Sequence, residues 1–108
     1  MKLLAAVASL SALAQPSRLE VFRLLVRTGG AGLCAGEIAE QLELPKPTLS
    51  FHLKELAQAE LIEAQRDGRT INYRVRVEGF RELMAYLTED CCQGRPDLCL
   101  PIGFESCC

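Results

Sequence analysis

Residues 36–75 read GEIAEQLELPKPTLSFHLKELAQAELIEAQRDGRTINYRV, and the spacing of their apolar residues changes once along the way. Up to Gln58 the apolar residues recur every three or four positions, which is typical of amphipathic helices. Beyond Leu61 they alternate around Asp67-Gly68, a dipeptide that favours a tight hairpin turn. Two short helices followed by a hairpin predict a winged helix-turn-helix, whose second helix enters the DNA major groove.

The same rules place the remaining elements. We predict five helices and two strands, the helices over residues 2–14, 17–27, 35–42, 47–58 and 78–90 and the strands over residues 61–66 and 70–77. The fold class is therefore mainly α with a small β-hairpin. We expect residues 1–90 to form one DNA-binding and dimerisation domain and residues 91–108 to form an irregular, cysteine-rich tail. A chain of 108 residues buries only about two-thirds of its unfolded surface, so dimerisation would help it.

Charge is distributed unevenly along the chain. The net charge of −2 looks wrong for a DNA-binding protein, but acidic residues concentrate in residues 78–108 and a basic excess lies in residues 1–34. Local patches govern phosphate binding, so we expect modest affinity with strong salt sensitivity. The chain has no run of eighteen apolar residues, and no transmembrane helix is expected. It also has no nucleophile–base pair and no glycine-rich phosphate loop, which argues against an enzyme.

The first fifteen residues, MKLLAAVASLSALAQ, imitate a secretory signal peptide. In an oxidising compartment the cysteines would pair as disulfides. Against that interpretation, Leu3, Val7 and Leu10 fall at helical spacing, and cleavage would leave the next helix without a packing partner. We therefore expect the first helix of a cytoplasmic protein.

The second helix of the motif carries the candidate DNA-reading residues. Its leucines face inward, which leaves the polar side chains to face outward or sideways. Lys46 and Lys54 suit phosphates, and hydroxyl groups near a helix N-terminus suit phosphates or base edges; these belong to Thr48 and Ser50. We expect His52 to donate to a base edge; as a metal ligand it would have to leave the DNA face.

Two further sets of side chains bear on DNA binding. Phe51 has the chemistry to touch a thymine methyl group. The hairpin carries four arginines, Arg66, Arg69, Arg74 and Arg76. We predict that Arg69 contacts DNA. For some of the four arginines the alternative is that they are charges on the strands exposed to solvent, with no role in binding. The alternative of an ordinary amphipathic surface helix is weakened by this charged hairpin, which is an independent signal.

Five of the six cysteines lie in the last eighteen residues, namely Cys91, Cys92, Cys99, Cys107 and Cys108. Adjacent cysteines rarely bridge each other because vicinal disulfides are strained, which favours ligation. Thiolates are soft ligands, and Cys91, Cys92 and Cys99 supply three of them, whereas a structural zinc site generally has four ligands. A terminal cysteine could supply a fourth, so the residues alone leave zinc and cadmium open. A set of unbound thiols is the remaining alternative, and Cys34 reads as a small buried hydrophobe rather than a ligand.

Three segments resemble the ArsR family of metalloregulatory repressors. They are LAQPSRLEVFRLLV at residues 13–26, the motif and hairpin at residues 36–75, and LTEDCC at residues 87–92. The resemblance implies a homodimer whose first and fifth helices form the interface. It also implies binding to double-stranded operator DNA near the protein's own promoter, and release when a metal or metalloid binds.

The resemblance narrows the ligand site as well. One group of arsenic sensors has a Cys-x-Cys pair at the first motif helix, but here Gly36 stands two residues after Cys34. Zinc sensors with Asp and His on the fifth helix are not matched, because that helix has no histidine. A third group, which senses arsenite, has adjacent cysteines just after the fifth helix and a later one, as at Cys91, Cys92 and Cys99. The implied effector is As(III) or Sb(III), with no permanent cofactor. A repressor responding to cadmium, zinc or oxidants, and a thiol-rich metal-sequestering protein, are the alternatives.

Overall fold

A computed structural model describes residues 1–88 of the chain. Its elements are α1 (Leu3–Leu13), α2 (Pro16–Thr28), a 3-10 turn (Gly29–Ala31), β1 (Leu33–Cys34), α3 (Ala35–Leu42), α4 (Lys46–Gln58), β2 (Ile62–Asp67), β3 (Thr70–Val75) and α5 (Val77–Leu87). This order confirms the predicted winged helix-turn-helix of mainly α class. The fifth helix ends at Leu87, three residues before its predicted end, and the cysteine-rich tail predicted over residues 91–108 lies outside the described residues. Over the described part, no helix has both the length and the apolar character that a membrane crossing requires.

The sheet has a third strand that the sequence pattern did not predict. The strand order is β1-β3-β2, and both pairs are antiparallel. The predicted elements leave residues 28–34 unassigned, but within this segment Leu33 pairs with Tyr73. Gly32 makes the approach feasible, since it has a φ of 70° and a Cβ there would lie 2.6 Å from the Tyr73 carbonyl oxygen. A two-residue strand is too short to show an alternating pattern in the sequence.

The core lies where α2, α3 and α4 meet the base of the hairpin and α5. Its most deeply buried side chains are Val21, Leu25, Ile38, Leu49, Leu56, Leu61, Ile62 and Leu83. The predicted apolar stripe of α4, which is Leu49, Leu53 and Leu56, is confirmed, because each is 2% exposed or less. This packing anchors α4 to the domain through its inner face.

Helix α1 buries its small residues and exposes its large ones. Ala6, Ser9 and Ala12 face the domain, and the Ser9 hydroxyl donates to the Ala59 carbonyl oxygen at the end of α4, 3.3 Å away. Its large apolar residues, Leu3, Leu4, Val7 and Leu10, are between 42% and 81% exposed. The apolar residues Leu3, Val7 and Leu10, which the sequence places at helical spacing, therefore point away from the domain. Apolar faces of this kind mark contacts with another protein.

Candidate nucleic-acid interface

A tight turn sets α4 across the end of α3. Glu43 ends α3 in the left-handed conformation, with a φ of 54°. The Glu43 amide and the Leu44 amide both donate to the Ala39 carbonyl oxygen, the second at 3.0 Å, and these bonds close the last turn of α3. Pro45 precedes α4 with an extended backbone, and Pro47 lies in its first turn, where a proline costs no hydrogen bond. The two helices and this turn form the helix-turn-helix.

The outer face of α4 presents polar side chains to solvent. The buried residues of the helix stand at positions 49, 52, 53 and 56, a spacing that defines one inner face. Four of the predicted DNA-reading residues are exposed, namely Lys46, Thr48, Ser50 and Lys54. The structure thus brings two cations and two hydroxyl groups to the accessible part of one helix, while their contact with DNA stays a prediction.

His52 does not face outward, and that prediction is wrong. Its side chain is 6% exposed, and its Nδ1 has no hydrogen-bond partner within residues 1–88. Burial, together with the nearby Arg18 guanidinium, lowers the pKa of the imidazole below its usual range. The ring is therefore neutral at neutral pH and is packed too deeply to reach a base edge. The signal was present in the sequence, because His52 follows Leu49 by three positions and so shares its face.

The hairpin forms the wing, with a two-residue turn at Gly68 and Arg69. Asp67 faces Thr70 across this turn, and Gly68 has the positive φ of 66° that it requires. Arg69 is exposed at the tip. From the tip of the wing the Arg69 side chain could reach a phosphate beside the groove, and this contact stays a prediction.

The four wing arginines divide into two pairs. Arg74 donates through Nε to the Glu63 carboxylate at 2.7 Å, and Arg76 lies 3.8 Å from the Glu78 carboxylate. Over the described chain, neither Arg66 nor Arg69 makes an ion pair. The arginines at the base of the wing are thus paired with carboxylates, whereas the two at its tip, which flank Asp67 and Gly68, are not in ion pairs within residues 1–88.

Cys34 lies at the start of α3, is half-buried rather than buried as predicted, and is the only cysteine of residues 1–88. Its amide donates to the Glu37 carboxylate at 3.1 Å, which closes the first turn of α3 and lowers the pKa of Glu37. In residues 1–88 no cluster of three or more His, Cys, Asp or Glu side chains is arranged to hold a metal ion. The predicted ligands Cys91, Cys92 and Cys99 lie outside the described residues, so their arrangement stays a prediction.

The sequence and the fold of this chain are both similar to those of known helix-turn-helix proteins. A helix-turn-helix domain family matches residues 13–65. The transcriptional repressor SdpR of Bacillus subtilis is 32% identical over 87 residues, which cover 81% of this chain and 93% of that protein. An arsenical resistance operon repressor of Staphylococcus xylosus is 36% identical over 69 residues, or 64% of each chain. A solved homodimeric winged helix-turn-helix DNA-binding domain of Mycobacterium bovis, described as a possible ArsR-family regulator, superposes with a TM-score of 0.65 at 26% identity, covering 78% of this chain and 76% of that one.

Proposed function

This chain belongs to the ArsR family of winged helix-turn-helix transcriptional regulators, and we propose that it represses an arsenic-resistance operon. In this proposal a homodimer occupies the operator and leaves it when trivalent arsenic binds the thiolates of Cys91, Cys92 and Cys99. The relatives are DNA-binding regulators rather than enzymes, and so is this chain.

The observation that carries operator binding is the division of α4 into two faces. Leu49, Leu53 and Leu56 anchor the helix, so its outer face is free along its length. Lys46 and Lys54 supply positive charge for phosphates on either side of the groove. The exposed Arg69 at the wing tip adds a cation on a separate element. A helix in the groove with a wing beside it is the arrangement that this geometry supports.

Dimerisation is supported by the exposed apolar face of α1. Leu4 and Val7 are 81% and 51% exposed, and in α5 Val77 and Leu87 are 60% and 48% exposed. A homodimer formed through α1 and α5 would remove these side chains from water, and it would present two recognition helices to half-sites about 34 Å apart. The Mycobacterium bovis relative is itself homodimeric.

Arsenic sensing is supported by where the adjacent cysteines stand in the chain. Cys91 and Cys92 follow the end of α5 at Leu87 by four and five residues. Trivalent arsenic forms three bonds to thiolates, and Cys99 supplies the third. Ligation next to α5 would alter how two protomers cross and so mis-space their recognition helices. Such coupling typically changes affinity by about 5- to 150-fold.

The test is fluorescence anisotropy of the reduced protein on the DNA upstream of its own gene, titrated with arsenite, zinc and cadmium. We expect arsenite to weaken binding by about 5- to 150-fold. A variant combining Cys91→Ser, Cys92→Ser and Cys99→Ser should bind the DNA equally well and not respond. The matched control, Cys107→Ser with Cys108→Ser, should respond as the natural protein does.

Each contrary result is specific. Arsenite that binds the protein without changing operator affinity overturns the release mechanism. Release by zinc or cadmium alone assigns the same thiols to another effector. Failure of the reduced, metal-free protein to bind the DNA contradicts repression and favours metal sequestration.

A further inference from the structure

Phe51 is the large apolar side chain of α4 that the fold leaves in water. It is 54% exposed, whereas Leu49, Leu53 and Leu56 of the same helix are 2% exposed or less. Its position two residues after Leu49 turns it to the opposite side of the helix from the buried stripe. Lys54, three residues further on, shares that outer face. An exposed aromatic ring beside a lysine therefore stands on the surface that would enter the groove.

The backbone beneath Phe51 is held firmly. Its ring centroid lies 6.0 Å from that of His52, with an angle of 60° between the ring planes. His52 is buried against the domain, and so is Leu53 after it. In the second turn of α4, the exposed ring of Phe51 is therefore followed directly by two buried side chains, which hold the backbone at Phe51 in place. The N-terminal part of a recognition helix is the part that contacts base edges.

We infer that Phe51 reads a thymine in each operator half-site by packing its ring on the thymine 5-methyl group. A phenyl ring has no hydrogen-bond donor or acceptor, so it cannot read the polar groups of a base edge. Thymine alone among the four bases presents an apolar group in the major groove. This inference rests on the proposed binding to DNA, and it adds a base and a residue that determine specificity. It is independent of which metal or metalloid releases the protein.

The first measurement is a selection from a pool of random-sequence DNA duplexes with the full-length, reduced protein. Three proteins are compared: the natural chain, Phe51→Ala, and Val26→Ala. Val26 is a matched control, because it is 51% exposed but lies on α2, outside the motif. We expect the natural chain and the control to enrich the same site with a thymine in each half. Phe51→Ala should lose the preference at that thymine and keep it at the other positions.

The second measurement removes the methyl group alone, by replacing the selected thymine with deoxyuridine in both half-sites. Burial of one methyl group corresponds to about fourfold in affinity, so two half-sites should give about fifteenfold weaker binding by the natural chain. Phe51→Ala should bind both duplexes equally. Circular dichroism of the variant should match that of the natural chain, since an exposed side chain contributes little to the fold.

The outcomes separate this inference from the proposed function. If Phe51→Ala keeps the preference for thymine in the selection, Phe51 does not read that thymine. The same follows if the natural chain binds the thymine and deoxyuridine duplexes equally well. In both cases the proposed operator binding stands. A variant that loses affinity for every sequence alike contradicts the reading of thymine and assigns Phe51 to a sequence-independent contact with DNA. Enrichment of no sequence at all overturns both the inference and the proposed operator binding.

Discussion

At the scale of single residues, His52 is a titratable group on the buried face of α4. Burial and the positive charge of Arg18 lower its pKa in the folded chain from the ordinary value of 6.5. The unfolded chain therefore binds a proton more readily than the folded one, and stability rises with pH in this range. The free energy of unfolding begins to fall as the pH drops through about 6.5, and it continues to fall until the pH reaches the pKa of His52 in the folded chain. Above this range His52 contributes no pH dependence.

We predict that His52→Gln flattens the pH dependence of thermal unfolding between about pH 7 and 5. Glutamine keeps a polar side chain of similar size but has no proton to exchange. The measurement is Tm by circular dichroism across this range. Glu37→Gln serves as the control, because the lowered pKa of Glu37 acts in a more acidic window, below its ordinary value of 4.5. An unchanged slope in His52→Gln would show that other groups cause the acid loss.

Gly79 decides how closely α5 approaches the end of α4. A Cβ at this position would collide with the Glu60 carbonyl oxygen, which is backbone and cannot turn aside. We predict that Gly79→Ala lowers the free energy of unfolding by about 1–3 kcal/mol, measured by urea denaturation. Gly36→Ala is the control, since a Cβ there has no neighbour within 4 Å and alanine favours the helix. Equal stability of the two variants would contradict this close approach.

At the scale of elements, the wing separates paired charge from free charge. Arg74 is held by Glu63 at 2.7 Å, whereas Arg69 stands exposed at the turn. We predict that Arg69→Ala weakens DNA binding and reduces the slope of log affinity against log salt by about 0.9 for each phosphate that the side chain neutralises. Arg74→Ala should change the slope less. Anisotropy titrations at several salt concentrations test this, and an unchanged slope in Arg69→Ala would show that the wing tip does not bind phosphate.

At the scale of the whole molecule, α1 has two faces with different partners. Its small residues pack on the domain, and Ser9 is hydrogen-bonded to the end of α4. Its large residues are available to a second protomer. If two protomers meet along α1 as proposed, we expect a change in how they meet to reach the end of α4 through this contact. Dimer geometry would then affect DNA affinity without a change in the core.

We predict that Leu4→Glu combined with Val7→Glu dissociates the dimer and abolishes tight operator binding. Burying unpaired carboxylates in an apolar interface is strongly unfavourable. Both side chains are exposed in the protomer, so circular dichroism should show an intact fold. Sedimentation velocity measures the dissociation, with Val26→Glu on α2 as the control. A double variant that stays dimeric would place the interface elsewhere.

The sequence by itself determined the features that depend on near neighbours. The spacing of Leu49, Leu53 and Leu56 defines a helix and its inner face, and Asp67-Gly68 defines the hairpin. Both signals lie within a few residues, so the motif, the wing and the exposure of Lys46 and Lys54 could be predicted. The outward assignment of His52 was avoidable for the same reason, because its spacing already placed it inward.

Only the tertiary structure decided which surfaces meet. The strand at Leu33 depends on β3, some forty residues further on, and its two residues have no pattern of their own. The direction of α1 depends on its close approach to the domain, which admits Ala6 and Ser9 and leaves Leu4 outside. Periodicity reports that a helix has an apolar stripe, but not whether that stripe packs within the chain or against a partner. That choice is made by the shape of the opposing surface, to which residues distant in sequence contribute.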